Sequence, residues 1–166
     1  MTLVLGIDPG LSAGYAVYGP ATQPLLDDIP VHQAQHGRAA KVRAELDIHA
    51  CAAAWASLPL DHVFIEDISS RPGQSVTAVR RYAYAAGSLY GVVVTLGLPV
   101  TLVAPQAWQK YHRIGPSPDA ARQKAVQLFP RIAARIARVK DQHRADALLI
   151  ALYGYAQLDH RTENAA

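Results

Sequence analysis

Apolar and polar positions follow two rhythms along this chain, and each rhythm predicts an element. Residues 3–8 and 14–19 are short apolar runs that read as strands, joined by the glycine-bearing turn Pro9-Gly10-Leu11-Ser12-Ala13-Gly14. A weak third strand is expected between Pro24 and Gln33. Over 39–58 the residues Val42, Leu46, Ala50, Ala53 and Ala54 recur at helical spacing, and Pro59 ends the pattern, so a helix is expected there. Residues 62–67 form the next strand, and Ser69 to Ser75 must be a loop. From Val76 to Leu96 the spacing is helical, with Ala83, Ala86, Gly87 and Gly91 permitting close packing. Leu98 to Ala104 is a strand that tolerates Pro99 at its start.

Two short helices follow. One spans Pro105 to His112. The next begins at Ser117-Pro118-Asp119, where Ser caps, Pro takes the first helical position and Asp complements the dipole. It stops near Phe129-Pro130. A basic segment then leads to a last helix from Gln142 to Gln157. Strands in hairpin order, then strand–helix alternation, predict an α/β fold with a mixed sheet flanked by helices. One domain over residues 1–158 and a frayed tail over 159–166 are expected.

Three acidic positions stand out against this pattern. Asp8 closes Leu3-Val4-Leu5-Gly6-Ile7, and Glu66 closes Val63-Phe64-Ile65. Asp146 lies in the last helix, three residues after His143 and on the same face. Strand alternation puts Val4, Gly6 and Asp8 on one face, and Phe64 with Glu66 on one face of the later strand. Each has an ordinary reading too. Asp8 precedes Pro9 and can initiate a turn. Glu66 can end its strand in solvent. Asp141 can cap the last helix, and His143 can cap, ligate a metal or act as a base. Gathered together, the carboxylates repel, and a divalent cation with oxygen preference, Mg²⁺ or Mn²⁺, is their natural counter-ion.

Composition narrows the class. The chain has 166 residues, 51% of them hydrophobic and 17% charged, which excludes disorder and allows a sizeable core. No apolar run reaches membrane-spanning length, and the start lacks a secretory pattern, so a soluble cytoplasmic protein is expected. The lone Cys51 forms no internal disulfide and reads as core packing. The net charge of +3 is uneven: residues 1–70 carry 3 Lys/Arg against 8 Asp/Glu, and residues 71–166 carry 13 against 5. A basic second half either faces solvent or meets a nucleic-acid backbone.

As a set, the motifs resemble the RuvC family of Holliday-junction resolvases, within the ribonuclease H-like superfamily. They are Gly6-Ile7-Asp8-Pro9-Gly10, Ile65-Glu66-Asp67, and His143-Arg144-Ala145-Asp146-Ala147-Leu148-Leu149-Ile150-Ala151. Arg71-Pro72-Gly73-Gln74-Ser75, Val103-Ala104-Pro105-Gln106-Ala107-Trp108, Asp119-Ala120-Ala121-Arg122 and Leu152-Tyr153-Gly154 are similar to the phage and chloroplast branch.

The resemblance covers residues 3–154. It implies a five-stranded mixed sheet flanked by helices, a homodimer, and two Mg²⁺ or Mn²⁺ ions per active site. It also implies paired symmetric nicks across a four-way DNA junction in strands of like polarity, leaving 5′-phosphate and 3′-hydroxyl ends. By motif, Asp8, Glu66 and Asp146 are implied metal ligands. His143 matches a position that is Asp in some members, and Asp141 matches an acidic position preceding it, so either completes the site. The implied setting is the DNA of a bacterial or phage-infected cell. Coupling to a branch-migration motor stays open.

One departure is Pro118, where many members carry a lysine. Arg122, Lys124 or Lys110 is expected to supply charge instead. Arg71 is expected on phosphate, and Gln74 at a base near the cut. Arg80, Arg81 and Arg144, with Arg113, Arg131, Arg135, Arg138 and Lys140, extend the basic surface. Trp108 reads as packing. The small-residue face of 76–96 suits either a dimer contact or packing on the sheet. Two other readings stay open: a non-catalytic branched-DNA-binding protein, and an actin-like or sugar-kinase-like phosphotransferase.

Overall fold

The computed structural model describes residues 2–9, 13–35, 42–67 and 73–164, the side chains of 161–164 excepted. Its centre is β1 (Val4–Asp8), buried at every position. To one side β1 pairs antiparallel with β2 (Gly14–Tyr18), which pairs antiparallel with β3 (Leu25–Asp28). To the other side lie β6 (His62–Glu66) and β7 (Val100–Val103), both parallel to it in turn. The result is a five-stranded mixed sheet in the order β3-β2-β1-β6-β7.

Strand alternation sorts the core into two layers. Leu5, Ile7, Val63 and Ile65 pack with Cys51 and Trp55 of α1 (Ile48–Ala56) and with Leu89 and Val93 of α2 (Val76–Thr95). On the opposite face Val4 and Phe64 pack with Trp108 of α3 (Pro105–His112), Ala121 of α4 (Ala120–Leu128), and Leu149 and Ile150 of α5 (Gln142–Asn164). Two glycines let α5 lie directly on the sheet. A Cβ on Gly6 would overlap the Ala147 carbonyl oxygen and the Ala151 nitrogen, and one on Gly14 would sit 2.7 Å from the His143 carbonyl. Both obstacles are backbone and cannot rotate away.

Several expectations are corrected. Of the helix expected over 39–58, residues 39–41 lie outside the described residues, and among the rest only α1 is helical, because Asp47 caps it, accepting from the Ala50 N–H at 2.9 Å. Upstream, β5 (Arg43–Leu46) pairs antiparallel with β4 (Val31–Ala34) in a separate two-stranded ribbon. The single weak strand expected between Pro24 and Gln33 is therefore two, β3 and β4, broken at Ile29-Pro30. Helix α4 starts at Ala120 with Asp119 at its cap position, and Ser117-Pro118 form the preceding turn. The Asp119 side chain binds Arg122 and makes no cap bond. The basic segment forms 3-10 turns over Pro130–Ile136 and Val139–Asp141. Helix α5 continues past Gln157 to Asn164, since no Gly or Pro follows Gly154 to stop it. Among the described residues, no helix is long and apolar enough to cross a membrane.

Candidate active site

Parallel pairing of β1 and β6 puts Ile7 beside Ile65, so Asp8 and Glu66 close neighbouring strands at the same end of the sheet. Ligand sites in open α/β sheets lie at such carboxyl ends. Asp8 is only 4% exposed, which demands a partner for its charge. That partner comes from the first turn of α5, seated against Gly14: His143 Nδ1 lies 2.7 Å from Asp8 Oδ2. The Asp8 hydrogen bond raises the imidazole pKa above its ordinary value against the opposing effect of burial, helped by the charges of Asp8, Asp146 and Asp28.

Asp146 lies one helical turn further along α5 and accepts from Gln142 Nε2 at 2.9 Å. Burial, then repulsion from Asp8 and Glu66, pushes its carboxyl from 3.8 up to about 7. Glu66 accepts from the indole Nε1 of Trp108 at 2.9 Å. The structure thus brings Asp8, Glu66, His143 and Asp146 to one place. Asp141 belongs elsewhere. It is clamped by the Arg138 guanidinium, with contacts of 2.7–3.2 Å, and by the Arg138 backbone N–H at 2.9 Å. Those bonds hold its carboxyl down at about 2.

Among the described residues, no three Asp, Glu, His or Cys side chains stand ready as a metal-binding group. Asp8, Glu66 and Asp146 each meet a protein donor instead. The chemistry of the set nonetheless fits a hard divalent cation. Burial, with repulsion from the other two carboxylates, raises the Asp146 carboxyl to about 7, and the fourth member is an imidazole.

The expected DNA contacts divide. Arg71 lies outside the described residues, with the rest of 68–72. Gln74 is exposed just before α2, as are Arg80 and Arg81 in its first turns and Lys110 on α3. Lys124 is half-buried, and its charge adds to the burial that lowers the pKa of His112. Arg122 and Arg144 both have internal partners. Arg122 donates to the carbonyls of Ile136 and Ala137 and pairs with Asp119. Arg144 grips both carboxylate oxygens of Asp28 at 2.6 Å and donates to the Arg135 carbonyl at 3.1 Å. Arg135 in turn donates to the Leu26 carbonyl at 2.6 Å. Much of the basic segment thus ties itself to α4, α5 and β3. Sequence reasoning missed Gln142 as a partner of Asp146, although their i,i+4 spacing carried the signal.

The sheet order, its mixed pairing and the flanking helices define a ribonuclease H-like α/β fold. Among solved structures the chain is similar to Thermus thermophilus RuvC in complex with a Holliday junction substrate. Identity is 20%, the TM-score 0.64, and the match covers 95% of this chain and 96% of that one. It is also similar to a further T. thermophilus RuvC structure, at 20% identity and TM-score 0.61, covering 95% and 97%. The fold is therefore RuvC-like. No protein-family model and no curated protein matches the sequence.

Proposed function

We propose that this chain is a structure-selective endonuclease that resolves four-way DNA junctions by paired nicks. The observation that carries the reading is the convergence of Asp8, Glu66, Asp146 and His143 at the carboxyl end of a RuvC-like sheet. The similar T. thermophilus protein, described in complex with a Holliday junction substrate, supports the choice of DNA.

Asp8, Glu66, Asp146 and His143 would hold Mg²⁺ or Mn²⁺, two ions per site in this reading. Such ions, when bound, activate a water and stabilise the leaving oxygen of an in-line displacement, which leaves 5′-phosphate and 3′-hydroxyl ends. The protein's own part is positional. Strand ends fix Asp8 and Glu66, and the first turns of α5 bring His143 and Asp146 to them. His143 holds a proton at or near Nδ1 against Asp8 Oδ2, so its imidazole stabilises the buried charge. Exposed Arg80, Arg81 and Lys110 supply phosphate contacts, and Gln74 stands at the loop beside the cut. Arg71 keeps the phosphate role its motif implies.

Paired cuts need two sites. The outward face of α2 carries Val76, Tyr84 and Val94, which are 84%, 70% and 50% exposed, around Gly87 and Gly91, where a Cβ would meet nothing within 4 Å. This face suits a second copy of the chain.

The test is cleavage of a labelled mobile four-way junction by wild type and Asp8→Asn with Mg²⁺, Mn²⁺ or EDTA, beside a linear duplex. Symmetric nicks that need metal and Asp8, with the duplex spared, are expected. Junction binding without cleavage in any metal would make this a binding protein. Indifference to junctions, or full turnover by Asp8→Asn, would overturn the assignment.

A further inference from the structure

Glu66 accepts a hydrogen bond from a residue whose ring is otherwise core. Trp108 is 2% exposed, packed among Val4, Phe64, Val103, Leu149 and Ile150. Its sole polar atom, Nε1, points at Glu66 Oε1 from 2.9 Å. The placement is built in two steps. Glu66 pairs in register with Val103 at the end of β7. Two residues later Pro105 opens α3, whose first turn carries Trp108 back over the end of β6. An indole N–H is a donor only. It can neither ligate a cation nor take the proton of a carboxylate, so it stays in place whatever Glu66 binds.

We propose that Trp108 is a positioning residue: its N–H fixes the orientation in which Glu66 presents its carboxylate to a divalent cation. The inference rests on the metal-holding role proposed for Glu66. Partners that orient a ligand in this way are worth about 10- to 100-fold in metal affinity when removed. Junction affinity does not depend on the contact, since Trp108 is buried.

The experiment measures Mn²⁺ binding by the loss of free-ion resonance, in wild type and in Trp108→Phe, which keeps an aromatic ring and removes the donor. Circular dichroism monitors the fold. The expected result is Mn²⁺ affinity weakened about 10-fold or more, with junction KM unchanged and kcat lowered. Wild-type affinity in a folded Trp108→Phe variant would overturn the proposal alone. Wild type that takes up no Mn²⁺, with or without junction DNA, would overturn the metal-site reading and the proposal with it.

A second arm does not depend on that variant folding. Trp55 is the other tryptophan, and its buried Nε1 has no hydrogen-bond partner among the described residues, so Trp55→Phe forfeits no bond to them. In that background Trp108 is the sole indole fluorophore. Its emission is expected to shift on saturation with diamagnetic Mg²⁺, and Glu66→Gln is expected to abolish the shift. Unchanged emission while Mg²⁺ binds would overturn the proposal.

Discussion

Asp146→Asn is expected to make the metal-free protein more stable while destroying the site. The Asp146 carboxyl lies at about 7 in the folded chain, against 3.8 for an ordinary aspartate, because it is buried and faces Asp8 and Glu66. Between those two values the folded state holds a proton that the unfolded state has shed. Stability therefore falls as pH rises through that window and is lowest above it. At about 1.4 kcal/mol per pH unit, the penalty against a neutral side chain is about 4 kcal/mol above neutrality and roughly 1–2 kcal/mol near pH 5. An amide retains an oxygen for Gln142 Nε2 and carries no charge. The assay is urea unfolding of both proteins in EDTA, near pH 5 and near pH 8. The variant should gain stability at both, by about 2–3 kcal/mol more at the higher pH. A gain equal at the two values, or none near pH 8, would refute the account of the cluster. Saturating Mn²⁺ should restore the wild type's deficit by linkage and leave the variant nearly unmoved.

Arg144→Ala should cost about 1–2 kcal/mol of stability, discounted because Asp28 is largely exposed. It should leave the salt dependence of junction binding unchanged, whereas Arg81→Ala should reduce the slope of log K against log salt by about 1. Equal effects of the two on that slope would contradict the internal role of Arg144. Asp141→Asn should destabilise the protein at neutral pH without altering Mn²⁺ affinity. Because the Asp141 pKa is lowered from 3.8 to about 2, its contribution is fully present above 3.8 and lost as pH falls through about 2. The gap between wild type and variant in acid unfolding should close there. Gly87→Arg on the open face of α2 should leave a folded monomer by analytical ultracentrifugation and uncouple the paired nicks; an unchanged association state would discard that face as the dimer contact.

The elements that sequence reading placed well carry a strong period. β1, β2, β6 and β7 are apolar runs between turn residues, and α2 and α3 keep their helical spacing to within a residue or two. The ribbon of β4 and β5 escaped because its strands are four residues long and mostly exposed, with no buried face to alternate against. Ala44 and Leu46 suit a helix and a strand equally well, and Asp47 decides by capping at the later position. Asp8, Glu66 and Asp146 stood out as candidates because each carboxylate ended an apolar run or sat inside one. Their hydrogen-bond partners stood out less. Arg144 and Asp28 stand 116 positions apart, and only the packing of α5 on β3 joins them. A count of basic residues registers charge and says nothing of what already neutralises it. Trp108 read correctly as core, but its bond to Glu66 depends on β7 pairing beside β6, which no local pattern announces.

The fold also explains why the carboxylates stay together despite their repulsion. The sheet supplies Asp8 and Glu66 on adjacent strand ends, and the helices supply donors: His143 and Gln142 from the start of α5, Trp108 from α3. The Gln142 bond opposes the rise of the Asp146 carboxyl but does not cancel it. Withdrawal of α5 would relieve the repulsion, but α5 packs directly on the sheet at Gly6 and Gly14, and that contact would be lost. Ala147, Leu148, Leu149, Ile150 and Ala151, the residues directly after Asp146, are completely buried. Retreat of α5 would strip packing from that whole stretch, at a cost that grows with the void opened. Packing therefore keeps Asp146 beside Asp8 and Glu66 despite the repulsion among them.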